Sequence, residues 1–570
     1  MIEDVYEPLA RYRDEFRDKF AKLTREKFRT LTELSGIDVA ACRDLARAIR
    51  ALSAKADKMR LRAAGFGCLT ALGVLAVVAA GTVGFLLHGD DPRVLPWCVG
   101  VGIAGGVLAF LMWGKFRDVQ TRLAELDAEI AAKKQTAWEM MKPLNRLFTW
   151  EMTAGLIQET VPRLAFDPYF TVDRLESLHR QFGWDDAFNE GKSVIFAQSG
   201  VINGNPFVFG QYLDMEWGQK TYEGTKEISW TEWETVDGKR RRVTRRETLR
   251  AYVTKPIPVY GEHKVLLYGN DAAPNLTFSR QPSGLTDSQD GFFGKLKMKW
   301  RLRGLKAYSR NLEDESEFTL MANHEFETWF HAKDRDNEVE FRLLFTPIAQ
   351  RQMLELMKDR TVGYGDDFSF AKRKKMNLLT SAHLDAAVID TNPAQFRNWD
   401  YDAAKDFFIT FNERYFKDVY FALAPLLAIP PYQQVRTHEE IWKDVIGSRP
   451  SSFWEHESLA NYHGEEKFRH PQSITRNILK TTVTKREDGD CTVAVTAHGY
   501  RGEDRVHSEE VHGGDGHWHT VDVHWTEYLP VSRTSEMFLR ESDTPSARFE
   551  SRSSVLRRSI RSYAGEAAKG

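Results

Sequence analysis

A chain of 570 residues exceeds one average domain, and with 42% hydrophobic residues it can bury sizeable cores. Lys and Arg total 79 against 81 Asp and Glu, so no global charge bias directs the chain to nucleic acid or to an anionic surface. The four cysteines, Cys42, Cys68, Cys98 and Cys491, form no CxxC pair, which argues against a disulfide framework and fits a reducing compartment.

The chain opens on MIEDVYEPLARYRDEFRDKF, which is charged throughout and unlike a signal peptide. Phe16, Phe20, Leu23, Leu31 and Leu34 recur at loosely helical spacing, so residues 1–62 are expected to form a helical arm. Two uncharged runs follow, Ala63–Leu87 and Val94–Trp113. Each is long enough to cross about 30 Å of hydrocarbon, and both are rich in Gly and Ala, which lets helix backbones approach closely. Only HGDDPR joins them, so residues 63–113 are expected to be a transmembrane helical hairpin. Arg50, Lys55, Lys58, Arg60 and Arg62 precede the first run, and Lys115, Arg117 and Arg122 follow the second. By the positive-inside rule both arms, and both termini with them, face the cytoplasm.

Beyond the second run, Phe116, Val119, Leu123, Leu126 and Ile130 repeat at threes and fours, and Ala137 and Leu144 keep the seven-residue phase. Residues 114–160 are expected to form a second helical arm, either pairing with the first as a short coiled coil or serving self-association, with Pro143 bending or ending it.

Residues 161–400 are expected to form a mixed α+β soluble domain. KSVIFAQSGVINGNPFVFGQYLDMEW carries short apolar runs around an Asn-Gly turn signal. EISWTEWETVDGKRRRVTRRETLRAYV then predicts two strands around Asp237-Gly238. Arg240, Arg241, Arg242, Arg245 and Arg246 form a basic ribbon there, which is open to a phosphate partner or to cross-strand pairing with Glu223, Glu227, Glu232 and Glu234. HKVLLYG, NLTFSR and FTLMANHEFETWFHAK continue the strand-like pattern, and VEFRLLFTPIAQRQMLELMKD turns helical. Residues 401–535 are expected to be a second mixed segment, helical and then β-rich, and residues 536–570 a partly ordered polar tail.

TVGYG at 361–365 matches the selectivity-filter signature of potassium channels. A filter needs a re-entrant segment between two spans, and six residues cannot supply one. The motif lies far from both runs among polar neighbours, so Gly363 and Gly365 are assigned to a turn with positive φ. The run VYFALAPLLAIPP is too short to span and is assigned to a buried helix or an interfacial segment.

His507, His512, His517, His519 and His524 form the one dense set of metal-ligating residues. His517 and His519 share a strand face, and His512 can fold back across Gly513-Gly514, so His512, His517 and His519 are candidate zinc ligands. Exposed histidines of a polar turn are the plainer alternative. His456, His463 and His470 are spaced by seven without an HExxH core. No GxxxxGK[ST] or GxSxG occurs, and the one GxGxxG, GVGIAG at 100–105, lies inside the second apolar run without the strand and acidic partner of a dinucleotide site.

GFFGKLKMKW and NHEFETWFHAKDRDNEVEFRLLFTPIAQRQMLELMKD, with the paired spans, resemble the DUF3137 family of bacterial membrane proteins. In that family a phenylalanine-led strand, an Asp-containing turn and LTP before a helix recur. Phe326 and Phe330, Asp334 and Asp336, and LFTP at 344–347 stand in the like places. The resemblance implies a bacterial inner or plasma membrane and supplies no catalytic residues.

The leading expectation is a membrane-anchored cytoplasmic interaction or assembly protein. A membrane-anchored enzyme or metal-binding module is the alternative, as is an oligomeric transporter built from the hairpin, although the spans hold no Asp, Glu, Lys, Arg or His to line a path. The expected partners are the lipid bilayer and either further copies or other membrane or cytoplasmic proteins. Nucleic acid is not expected, nor any cofactor besides the candidate zinc.

Overall fold

A computed structural model describes residues 7–87, 94–236, 239–285, 300–303, 319–433, 450–487, 489–541, 555–558 and 560–565. HGDDPR and the greater part of GFFGKLKMKW lie outside these residues. The chain divides into two units, Ala21–Thr149 with Asn392–Asn412, and Met1–Phe20 with Trp150–Thr391 and Glu413–Gly570.

The first unit is helical. It contains most of α1 (Arg17–Ser35), together with α2 (Val39–Leu87) and α3 (Val94–Asn145). No proline interrupts α2, and Pro143 lies at the end of α3, so each arm is continuous with its apolar run. Both helices are long and apolar enough to cross a membrane, and only 17% and 6% of their most apolar stretches are buried, unlike a soluble core helix. They approach closely where glycine removes the side chain. A Cβ on Gly73 would stand 2.7 Å from the Gly105 carbonyl oxygen, and one on Gly105 would stand 2.8 Å from that of Gly73. Beyond the runs the arms of one chain pack together through Ile49 and Ala56 with Ile130 and Ala137, and Arg60 bridges from Asp57 to Asp127 at 2.8 Å each. Phe28, rather than the expected Leu34, continues the α1 stripe. It packs on Phe148, Tyr401 and Phe408, while Leu34 is 72% exposed.

The second unit is mixed α and β with two antiparallel sheets. The larger has the order β1-β2-β3-β4-β7-β6-β5, from strands β1 (Leu164–Phe166), β2 (Ser193–Ile202), β3 (Asn205–Val236), β4 (Lys239–Gly269), β5 (Thr277–Arg280), β6 (Phe368–Arg373) and β7 (Met376–Ser381). The smaller has the order β11-β12-β10-β9-β8, from β8 (Ile478–Glu487), β9 (Asp490–His512), β10 (Trp518–Arg540), β11 (Val555–Arg557) and β12 (Ile560–Ala564). The Asn-Gly signal marks the β2–β3 turn, where Asn203 and Gly204 both take positive φ. β3 with β4, and β9 with β10, are far longer than the usual strand of about six residues. Neither long hairpin stands alone. Ile228, Leu249 and Ala251 of the first pack on Val521 and Val523 of the second. Gly224 permits this approach, because a Cβ there would fall 2.4 Å from the Asp522 carbonyl oxygen.

Three sequence expectations change here. FTLMANHEFETWFHAK does not extend the sheet: α4 (His324–Phe330) forms because Asn323 caps the Phe326 N–H and the buried Glu327 pairs with Arg335 at 2.8 Å. Phe326 and Phe330 therefore stack one helical turn apart instead of leading a strand. α5 (Glu338–Leu344) and α6 (Pro347–Lys358) follow as the helical pattern requires. Residues 555–557 and 560–564, assigned to the polar tail, are strands, because Ile560 and Tyr563 turn inward and the buried Arg558 finds Glu455 at 3.1 Å. Gly365 takes positive φ, as a turn glycine should, but Gly363 does not. Gly363 is there for space, since a Cβ would meet the Phe421 ring at 2.8 Å. The greater part of VYFALAPLLAIPP is the buried end of α7 (Tyr401–Leu427), the buried helix expected, and Ala428 and Ile429 stay buried just beyond it.

The two sheet cores meet at α8 (Phe453–His463). Trp454 enters the core of the larger sheet, and Leu459 and Ala460 enter that of the smaller.

Candidate functional site

α8 is buried on nearly every side, yet Glu455, His456, Glu457 and Ser458 are consecutive polar residues. Each must find a partner, because an unpaired buried polar group is costly. Glu457 ion-pairs with Lys480 of β8 at 2.8 Å and accepts the Val194 N–H at 2.9 Å. Burial nonetheless pushes its carboxyl above the ordinary value, with Lys480 opposing. Lys480 also donates to the carbonyls of Asn189 and Lys192, at 3.0 and 2.9 Å.

Lys480 reaches this network from the wall of a cavity of about 490 Å³ between the sheets. Met215, Tyr260, Ile478 and Tyr500 supply apolar and aromatic surface, and His498 and Ser532 face each other across the β9–β10 pair. Burial, then Lys480, lowers the His498 pKa, and burial raises that of Tyr260, so both groups are neutral near pH 7. The lysine is held by its pair and two carbonyls. Among the described residues no hydrogen bond joins His498 to Ser532. The exposed Glu190 also lines the cavity, so the lining suits a weakly polar molecule, and among the described residues it holds no assembled nucleophile and base.

Among the described residues, two serine–histidine–carboxylate sets occur elsewhere in this unit. His456 Nε2 lies 2.9 Å from Ser451 Oγ, but Glu541 accepts from Ser451 and not from the imidazole. Burial holds His456 near a pKa of about 3. A catalytic relay needs the acid on the other ring nitrogen. The second set has that order: His383 Nδ1 is 2.6 Å from Asp367 Oδ2, and Nε2 is 3.4 Å from Ser381 Oγ. However, Ser381 Oγ caps the helix Ala382–Ala386 by accepting the Leu384 N–H at 3.3 Å, and Tyr364 stacks flat on the imidazole at 4.2 Å. Both sets act as structural locks.

The second lock fixes TVGYGDD, which connects α6 to β6. Asp359 accepts the Thr361 hydroxyl at 2.8 Å and the Val362 N–H at 3.0 Å, and also bonds the Gly363 N–H. Burial works against its charge, but these bonds outweigh it and hold the carboxyl below its usual value. Tyr364 donates to Asp418, and Asp366 pairs with Arg280, both side chains being fully buried. Asp359, Tyr364 and Asp366 thus tie the motif into the fold as a connector.

The metal candidates separate. Register pairs His512 with Trp518, and their rings meet edge to face at 5.4 Å. His519 pairs with Val511 on the opposite face, where its Nε2 meets Asp515 at 2.9 Å. His517 follows Asp515, which accepts its backbone N–H at 3.0 Å. The structure does not bring the three imidazoles together, and among the described residues no group of three or more His, Cys, Asp or Glu is placed to hold a metal.

The arginine ribbon is only partly neutralised. Arg245 pairs with Glu232, and just beyond the ribbon Arg250 pairs with Glu223. Arg242 lies opposite Trp233, which is 68% exposed. Sequence reasoning found this ribbon but missed Glu457, Lys480 and the cavity. WEHES carries an unusual density of polar residues for a buried helix, but its partners are distant in sequence.

In comparisons with known proteins, no family model, no curated protein and no solved structure matches the chain.

Proposed function

We propose that this protein is a membrane-anchored interaction module whose mixed domain works from the cytoplasmic face. The carrying observation is the union, in one chain, of two largely unburied apolar helices and a domain whose two long hairpins brace each other and carry Trp233 and Arg242 on an exposed face. The absence of an assembled catalytic set among the described residues favours binding over turnover. The basic residues beside both runs support cytoplasmic arms and a two-span hairpin. The DUF3137 resemblance supports a bacterial inner or plasma membrane.

The test is fractionation. The full chain is expected to resist alkaline carbonate extraction, and a chain lacking residues 63–113 to be released. Release of the full chain overturns the anchor. A photo-crosslinking residue at Trp233 is expected to give a discrete adduct in native membranes, and its failure overturns the interaction role.

A second reading, a membrane-anchored ligand-binding domain, is favoured by the cavity around Lys480 and His498.

A further inference from the structure

A second cavity, of about 500 Å³, lies between α2 and α3 just beyond the apolar runs. Its wall on α2 is Lys55, Lys58, Met59 and Arg62, and on α3 it is Arg122, Glu125, Leu126 and Glu129. Each set follows the i, i+3, i+4, i+7 spacing of one helix face, so two such faces oppose each other in an antiparallel pair. Met59 and Leu126 occupy the middle of each stripe.

The charges are not spread evenly. Gly67 meets the Phe116 ring, and Gly73 meets Gly105 and Ala109, which sets the register. That register places Arg122 level with Arg62 at the end nearest the runs, Glu125 level with Lys58 and Met59, and Glu129 furthest from the runs beside Lys55. Arg62 immediately precedes the uncharged stretch, and Lys58 lies four residues before it, about 6 Å further along the helix. Measured from α2, this end of the cavity adjoins the headgroup layer, which adds roughly 5–7 Å to each side of the hydrocarbon, while Arg122 reaches back toward it from further along α3. The end of the cavity nearest the hydrocarbon is therefore wholly basic.

The neighbouring acids neutralise it only in part, Glu125 being the one carboxylate of the wall that is not drawn to a cation elsewhere. Asp57 and Asp127 are both taken by Arg60, and Glu129 reaches Lys133 at 3.7 Å. Among the described residues, Lys55, Lys58, Arg62 and Arg122 have no ion-pair partner. Four cations against two carboxylates leave the cavity positive.

We propose that this cavity binds the phosphate headgroup of an anionic phospholipid from the leaflet that contacts the arms. Arg62, Arg122 and Lys58 engage the phosphate, and the lipid's acyl chains lie along the exposed apolar helices. Arginine suits this role because its planar fork can hold two phosphate oxygens at once. Basic pockets beside membrane helices are a general solution for such headgroups. The inference rests on the membrane anchoring proposed above.

The test uses the full chain in nanodiscs of phosphatidylcholine alone or of phosphatidylcholine mixed with phosphatidylglycerol. The detergent-extracted complex is then read by native mass spectrometry for retained lipid. Preferential retention of phosphatidylglycerol is expected. The combined variant K58Q/R62Q/R122Q should reduce that preference on the order of a hundredfold, since each cation near an anionic surface is worth roughly fivefold. K142Q, which removes a charge at the far end of α3 where Lys142 pairs only with Glu139, should leave it unchanged.

Equal retention of both lipids, or a preference that survives the combined variant, overturns the proposal while leaving the anchor intact. Failure of the chain to enter discs of either composition overturns anchor and pocket together. Inorganic phosphate displacing the retained lipid as effectively as added phosphatidylglycerol shows a soluble-phosphate site and also overturns it.

Discussion

Replacing Asp366 with Ala should destabilise the sheet beside TVGYGDD more than any single surface change. The Asp366 carboxylate and the Arg280 guanidinium are fully buried against each other. Asp366 also accepts the Ser283 N–H at 2.6 Å, and the guanidinium lies 4.3 Å over the Phe368 ring. Burial lowers the Arg280 pKa, and the Asp366 carboxylate is the main group opposing that shift. Removing one partner of a buried pair costs about 3–5 kcal/mol, because the remaining charge stays in low dielectric.

Replacing both partners with apolar groups, Arg280→Met with Asp366→Leu, should recover most of that loss. A chain of two units has no single unfolding midpoint, so native-state hydrogen exchange at β6 and β7 is the appropriate assay. Exchange there should accelerate by roughly two to four orders of magnitude in Asp366→Ala. Breaking the exposed Arg476–Glu262 pair should change stability by less than about 1 kcal/mol. An Asp366→Ala chain exchanging within tenfold of wild type, or a double variant as unstable as the single one, would refute the reasoning.

Gly365→Ala should cost about 1 kcal/mol through its positive φ, whereas Gly365→Asn should cost less; local exchange at 361–367 separates the two. Gly105→Leu should force α2 and α3 apart against the Gly73 carbonyl, measurable as loss of a disulfide engineered across the hairpin in a background lacking the native cysteines. His456, held near a pKa of about 3 against an unfolded value of about 6.5, is neutral when folded and binds a proton when unfolded. Its contribution to stability is therefore complete above about pH 6.5 and is lost as pH falls toward 3, by about 1 kcal/mol at pH 5.5. His456→Gln should flatten that part of the stability–pH curve, and an unchanged slope would contradict the assignment.

The parts legible in the sequence were those with a local physical signature. Uncharged length revealed α2 and α3, and Asn203-Gly204 revealed a hairpin turn whose backbone takes the expected positive φ. The extent of β3, β4, β9 and β10 was harder to see, because their outer faces are charged and the apolar alternation is sparse. FTLMANHEFETWFHAK alternates like a strand, and only a cap at Asn323 and a distant arginine for Glu327 make it a helix.

The cavity, and the burial of Glu457 and Arg558, depend on partners far apart in sequence. Lys480 and Glu455 carry no local mark of being those partners. The proposed headgroup cavity lies between these extremes. Its cations were visible as a topological signal, but their shared wall follows from the register of two helices.

The central claim is that residues 63–113 form a membrane hairpin with both arms on the cytoplasmic side. The direct measurement is labelling of intact cells with a membrane-impermeant maleimide, using Asp90→Cys or Ser35→Cys in a background without the native cysteines. The account predicts labelling at 90 from outside and at 35 only after lysis. Labelling of 90 only after lysis, or of 35 in intact cells, would contradict it.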